Sequence, residues 1–291
     1  MILETNIKAD AQIGPSYLIP AVQGQLPVIE QICRMTRGED HEGALRLGSN
    51  FTEFCGWLYQ DSGDYECAMY WTERSLEYAI ELDDRRVISY VLMRKSNIAT
   101  ESGQAGHGLG LSNAALKHHH QLTPRLHAVA LRQRANAYAV LGESAAFVQD
   151  TEHALHQATS SASQDEDDLA PYCTPSYVEM EVGASWVKLN AAESAIPIFE
   201  ASRARWSAPE QTRDHALCLA RLATAYAATG EPQQACAVAE DLITTANGLS
   251  SARVAAQVAD LRESLSPWRR DPAVTHLLRK LETFKAPVSK A

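Results

Sequence analysis

A residue suited to a left-handed turn returns along this chain at nearly even intervals, and that recurrence limits the fold more than any other feature. Gly63, Gly103, Gly142, Asn190 and Gly230 follow one another at spacings of 40, 39, 48 and 40 residues. Gly and Asn end a helix in the left-handed conformation at the lowest cost. Each anchor stands between stretches whose apolar residues are three and four apart, as in "YQDSGDYECAMYWTERSLEYAIELDD", residues 59–84. That spacing belongs to amphipathic helices. Alternating Val/Ile/Thr runs are short, so the chain reads as all-α, a helical-hairpin solenoid of about five repeats plus capping helices.

Fixed offsets from the anchors support the repeat. Seven residues before them stand Gly56, Ser96, Ala135, Gly183 and Ala223, all small. Four before stand Tyr59, Ala99, Tyr138, Trp186 and Tyr226. Five after stand Ala68, Gly108, Phe147, Ala195 and Ala235, and twelve after stand Ser75, Ala115, Ala154, Ser202 and Leu242. Small residues let two helices of a hairpin approach closely, and the aromatic fills the gap to the next hairpin. The string Gly63-Asp64-Tyr65 with Ala68, Ser75-Leu76 and the closing "ELDD" resembles the tetratricopeptide repeat. The resemblance implies a solenoid over residues 46–246, with a period longer than the usual ~34 residues.

Around that array the chain divides into an N-terminal capping segment (1–45), a C-terminal capping hairpin (247–285) and a frayed tail (286–291). The N-terminal segment reads as a Pro-entered helix. The final hairpin is expected over 252–265 and 273–284, since a solenoid must close its exposed end. The connection before Asn190 is longer, with Pro171 and Pro175 as breakers. Its acidic cluster, Asp165–Asp168, lacks the alternating ligands and glycine of a calcium loop and reads as solvated.

Composition narrows the function. The formal net charge of the 291 residues is -10, with 45% hydrophobic and 21% charged residues. Broad nucleic-acid binding needs a basic face to displace counterions from phosphate, so no direct nucleic-acid contact is expected. The same charge argues against an anionic membrane surface. No basic-then-apolar leader opens the chain, and no stretch reaches the ~18 apolar residues of a membrane span. The six cysteines are scattered without a CxxC pair. A reduced, cytoplasmic protein is expected.

In stacked hairpins the first helix of each repeat lines the concave groove, and offsets of 13, 10, 6, 3 and 2 residues before the anchor share one face. Repeat one then supplies Glu53, Trp57, Gln60 and Asp61; repeat two, Tyr90, Met93, Asn97, Thr100 and Glu101. Repeat three supplies Arg132 and Asn136, and repeat four Tyr177, Met180 and Lys188. Repeat five gives Ala220, Thr224 and Ala227, a bland surface. Asn97 and Asn136 hold one offset, and paired amides bridge a peptide backbone without reading its side chains. Arg132 suits a carboxylate, while Trp57, Tyr90 and Met93 suit apolar walls. The expected ligand-binding set is Glu53, Trp57, Tyr90, Met93, Asn97, Arg132, Asn136 and Tyr177. The expected partner is a peptide, a protein tail or a small molecule in the concave groove, with no cofactor and no metal.

Other constellations are weaker. His118, His119 and His120 are consecutive, with His127 downstream, and cannot all face one metal from a helix. Cys173 and His215 form no motif that brings them together. Glu53, Asp61 and Glu101 are the acid/base candidates if the chain is an enzyme of specialised metabolism. Leu277, Leu278 and Leu281 either form a homodimer contact or cap the core.

A closer resemblance rests on "EFCGWLYQDSGDYECAMYWTERSLEYA", "YVLMRKSNIA", "LRQRANAYA", "PYCTPSYVEM", "RDHALCLARLATAYAATGEPQQA" and "PWRRDPAV". These strings are similar to the repeat region of actinobacterial Xre-type helix-turn-helix transcriptional regulators, from about residue 15 to the last hairpin. That resemblance implies a sensor or interaction domain. The segment before the first repeat is too short and too Pro-broken for a helix-turn-helix bundle, so a DNA-reading module is not expected here.

Overall fold

Five helical hairpins stack in chain order. The computed structural model describes residues 2–160, 168–206, 211–249 and 251–282, and no strand occurs among them. The hairpins pair α4 (Glu39–Asp61) with α5 (Tyr65–Glu81), α6 (Arg85–Glu101) with α7 (Ala105–Ala115), and α8 (Pro124–Val140) with α9 (Ser144–Ser160). They continue with α10 (Pro175–Lys188) and α11 (Ala192–Arg203), then α12 (Thr212–Ala228) and α13 (Pro232–Thr245). Three helices precede them where one was expected: α1 (Ile2–Ile13), α2 (Ile19–Gln23) and α3 (Leu26–Met35). A last pair, α14 (Ala252–Ser264) and α15 (Pro272–Leu281), follows. The tail 286–291 and the acidic residues Asp165, Glu166 and Asp167 lie outside the described residues.

All five anchors adopt a positive φ, from 57° at Asn190 to 86° at Gly63. In each turn the N–H just past the anchor donates to the carbonyl four residues before it. Asp64 bonds Tyr59 (3.0 Å), Gln104 bonds Ala99 (2.8 Å), and Glu143 bonds Tyr138, Ala191 bonds Trp186 and Glu231 bonds Tyr226 (2.9 Å each). This six-to-one bond satisfies a carbonyl that the helix end would otherwise leave orphaned.

The small residues at fixed offsets meet inside each hairpin. A Cβ added at Gly56 would lie 2.5 Å from the Thr72 hydroxyl and 3.1 Å from the Ala68 carbonyl. Ser96 donates to the Gly108 carbonyl at 2.7 Å across the second hairpin. Apolar clusters fill the space between the layers. One joins the N-terminal cap to repeat one, one runs from repeat two to repeat four, and one joins repeats four and five to the last pair. Leu277 and Leu281 are buried in that last core and Leu278 packs against it, so these leucines cap the solenoid.

The inner layer is made of α4, α6, α8, α10, α12 and α14. It curls until its ends meet. α1 lies against both α4 and α12. Ser251, which caps α14, donates to Asp61 at the end of α4 (2.7 Å). A Cβ on Gly63 would stand 3.6 Å from that of Ala252. The concave surface is therefore a curled interior whose two ends are tied together.

Three glycines of α7 and its turn separate the causes of helical glycine. Gly106 has open space and an ordinary φ, so Gly106→Ala should stabilise by about 0.5–1 kcal/mol. Gly103 also has open space but a φ of +85°, so Gly103→Ala should cost about 1 kcal/mol. At Gly108 a Cβ would meet the Thr100 hydroxyl and come within 3.0 Å of the Ser96 carbonyl, so Gly108→Ala should cost more than either. Thermal midpoints of the three variants check the order.

Candidate functional site

The interior carries a ring of polar side chains from one inner helix to the next. Arg94 on α6 donates to Glu53 and to Gln60 on α4, both at 2.7 Å. Gln60 donates to Asn97 (2.7 Å) and Glu101 (2.6 Å). Asn97 donates to Gln133 on α8 (3.1 Å), and Arg132 donates to the same oxygen (2.9 Å) and to the Tyr177 hydroxyl on α10 (3.2 Å). Lys188 donates to Asn136 (2.8 Å). Arg221 on α12 joins Glu181 on α10 (3.0 Å) and Gln257 on α14 (3.2 Å). Arg253, also on α14, stands 3.7 Å from Glu101 and returns the ring to α6. Such groups are tolerated in an interior because most of them are paired. Burial works against the Glu181 carboxylate, but Arg221, Arg132 and Arg253 outweigh it and hold its pKa well below the usual range. Burial, with Arg221 nearby, lowers the Lys188 pKa.

A second set of charges fastens the ends together. Arg213 on α12 donates to the Asp10 carboxylate (2.5 Å) and carbonyl (2.8 Å) on α1. Its Nε faces Asp61 at 3.5 Å. The Trp57 indole donates to Asp10 at 2.9 Å. Three guanidinium groups surround that indole, Arg94 at 5.0 Å, Arg213 at 5.1 Å and Arg253 at 5.4 Å, within cation–π range.

Two chambers remain. The first, about 360 Å³, is walled by Trp57, Tyr90, Tyr172 and Tyr177 with Ile7, Phe54, Leu169 and Pro171. Arg94, Arg213, Arg253, Asp10, Glu53 and Asp214 supply its charge. The second, about 420 Å³, holds Tyr65, Thr100, Glu101, Lys188, Arg221, Gln257 and Asp260. Arg253 borders both. Burial raises the Tyr177 pKa to about 12, so its hydroxyl keeps its proton.

Of the residues singled out in the sequence, Glu53, Trp57, Tyr90 and Tyr177 meet in the first chamber. Asn97, Arg132 and Asn136 belong to the polar ring, where other side chains occupy their amide and guanidinium groups. Met93 is 1% exposed and belongs to the apolar core with Leu126 and Phe147, so it forms no chamber wall. Its helix packs on α7 and α8 as well as facing inward, and the Met93 position falls on the packed side. The three acid/base candidates do not converge. Glu53 lines the first chamber, Glu101 the second, and Asp61 is fully buried at the closure and lines neither.

Repeat five is not bland, because Arg213, Asp214 and Arg221 all come from α12. The ring residues Arg94, Gln133, Glu181 and Arg221 each stand nine residues before an anchor. Polarity at that one offset in four successive repeats is the signal that marks them. His119 stacks on His127 at 5.4 Å, and no group of three or more metal-ligating side chains converges among the described residues. Cys173 is fully buried with its thiol pushed up to about 12 by burial, whereas His215 lines a separate surface hollow with Arg203 and Asp241. No helix among the described residues is long and apolar enough to cross a membrane.

Known structures share the fold. A Rap protein complexed with Competence and Sporulation Factor matches with a TM-score of 0.60 at 11% identity, over 91% of this chain and 84% of that one. BtubC from P. vanneervenii gives 0.55 at 15% identity, over 79% and 89%. A signal-transduction ATPase with a tetratricopeptide repeat sensor from Pyrococcus horikoshii gives 0.55 at 14% identity, over 89% of this chain and 42% of that longer one. The chain is thus a tetratricopeptide-like helical solenoid. No protein-family model matches the sequence, and comparison with curated proteins gives no match.

The closure carries a pH dependence. Burial raises the Asp61 pKa to about 6, against the pull of Arg213 and Arg253 and the Ser251 hydrogen bond, with Asp10 adding to the rise. An unfolded aspartate titrates near about 3.9. The folded form holds this proton more tightly, so the contribution is complete below about pH 3.9 and is lost as pH rises through about 6. The stability of the wild type relative to Asp61→Asn should therefore increase on acidification from pH 7 to pH 5, by on the order of 1 kcal/mol. Thermal midpoints of both proteins at several pH values measure it, and a flat or reversed difference contradicts it.

Proposed function

We propose that the chain is a binding module of a regulatory protein that takes a short peptide or a protein tail into the interior of its superhelix. The observation that carries this reading is the first chamber. It gathers five aromatic side chains and six charged ones beside a ring of hydrogen-bonded polar groups. Small-ligand and peptide pockets have that composition, apolar walls with a few directed polar groups. A volume of about 360 Å³ lies at the small end of the usual range and suits a chain end better than a folded surface. The sequence resemblance to the sensor regions of Xre-type regulators supports a regulatory setting. The Rap neighbour, complexed with Competence and Sporulation Factor, shares the fold.

An arrayed peptide library titrated against the protein tests the reading. Binders should lose about tenfold or more in affinity, about 1.4 kcal/mol, in Trp57→Leu and Tyr90→Ala. Far-ultraviolet circular dichroism checks that both variants keep their helices. Asn97→Ala/Asn136→Ala should instead destabilise the fold by about 1–3 kcal/mol per unpaired partner, seen as a lower thermal midpoint, while binding changes little. Binders that keep full affinity in both wall variants would place the site elsewhere.

A further inference from the structure

We infer that the first chamber recognises an amino-carboxylate zwitterion, with Arg253 receiving the carboxylate and Asp214 the ammonium; this rests on the binding role proposed above. The pairing pattern singles out these two groups. Arg94 donates to Glu53, Gln60 and Asn97. Arg213 is held by Asp10, which also accepts from Trp57. Arg253, by contrast, makes no hydrogen bond to any described residue. Its nearest anion, Glu101, is 3.7 Å away and already accepts from Gln60 at 2.6 Å. Its side chain is 14% exposed and opens onto the chambers it borders. A planar guanidinium with free donors is built for bidentate contact with a carboxylate.

Asp214 is the complementary case. It lines the same chamber and has neither a hydrogen-bond donor nor an ion-pair partner among the described residues. Burial raises its pKa, and Arg213 and Arg253 offset this only in part. A ligand ammonium would supply the direct ion-pair partner that it lacks among the described residues. A simple anion would leave Asp214 unmet, and a simple cation would leave Arg253 unmet. One ligand carrying both charges satisfies both, with a flat or bulky apolar group against Trp57, Tyr90 and Tyr177. Free aromatic amino acids and the ends of short peptides share this chemistry. Arg253 also borders the second chamber, so a peptide has room to continue there.

The test titrates the full chain calorimetrically with free Phe, Tyr, Trp and Leu, and with a pool of tripeptides of those residues. The tripeptides are used with free ends, N-acetylated, C-amidated, and capped at both ends. Free-ended ligands should bind, and each cap should weaken binding about tenfold or more. Arg253→Gln should abolish the effect of C-amidation, and Asp214→Asn the effect of N-acetylation. If Arg253→Gln does not fold, Arg253→Lys keeps the charge without the fork and should show a reduced amidation effect. Binding by the amino acids or only by the tripeptides identifies the source. The inference is overturned if doubly capped tripeptides bind as well as free ones, if cap sensitivity survives both substitutions, or if no free-ended ligand binds. Capped binders lost in Trp57→Leu would overturn it while leaving the chamber's binding role intact.

Discussion

Arg213 holds the interior shut. Its guanidinium joins α12 to Asp10 on α1, 203 residues away in sequence, and faces Asp61 at the end of the first repeat. Two buried carboxylates and one buried guanidinium are costly to desolvate, and the pairing largely offsets that cost. The group therefore adds little net stability while intact, yet removing one member leaves an uncompensated charge. It acts as a fastening that specifies one geometry. Arg213 and Asp10 both line the first chamber. Their contact is a polar tie between α1 and α12, and without it Trp57 loses one of its three surrounding cations.

Around that fastening the fold separates two kinds of interior. Between the helix layers lie dry apolar clusters rich in alanine, where small residues set the distance between helices. Inside the curl lies the polar ring, in which Arg94, Gln133, Glu181 and Arg221 occupy equivalent positions in successive repeats. A repeat protein would normally expose this inner surface to water. Here the curl buries many of these side chains, and the inner helices satisfy most of one another's polar groups. Some atoms stay unmatched, among them the Arg132 Nε in the ring and an Asp61 oxygen at the closure, while Arg253 and Asp214 face the first chamber.

How much of this could be read from the sequence depends on the range of each interaction. The turns and hairpin contacts are local, since a positive φ and a missing Cβ leave their mark within a dozen residues. Gly63, Gly56 and Ala68 are legible for that reason. Half of the expected binding set, Glu53, Trp57, Tyr90 and Tyr177, shares the first chamber because helical periodicity orients a single helix correctly. The same rule misplaces Met93, because α6 meets α5, α7 and α8 and a surface pattern does not say which side is packed. Asn97 and Asn136 were placed on the right face, but their hydrogen-bond partners sit on other helices. Asp10, Arg213, Asp214 and Arg253 carry no local signal at all. Closure alone brings them together.

The contact between Gly63 and Ala252 has an evolutionary consequence. An open helical array can gain or lose a hairpin and still fold, because each unit touches only its neighbours. Here the first turn abuts the start of α14, and Ser251 must reach Asp61. Inserting one more unit of about forty residues would carry α12 and α14 past their partners on α1 and α4. The number of repeats is therefore fixed by ring closure, as the number of staves is fixed in a barrel. Lineages of this protein would be expected to vary in loop length, as in the 48-residue interval before Asn190, and not in the count of hairpins.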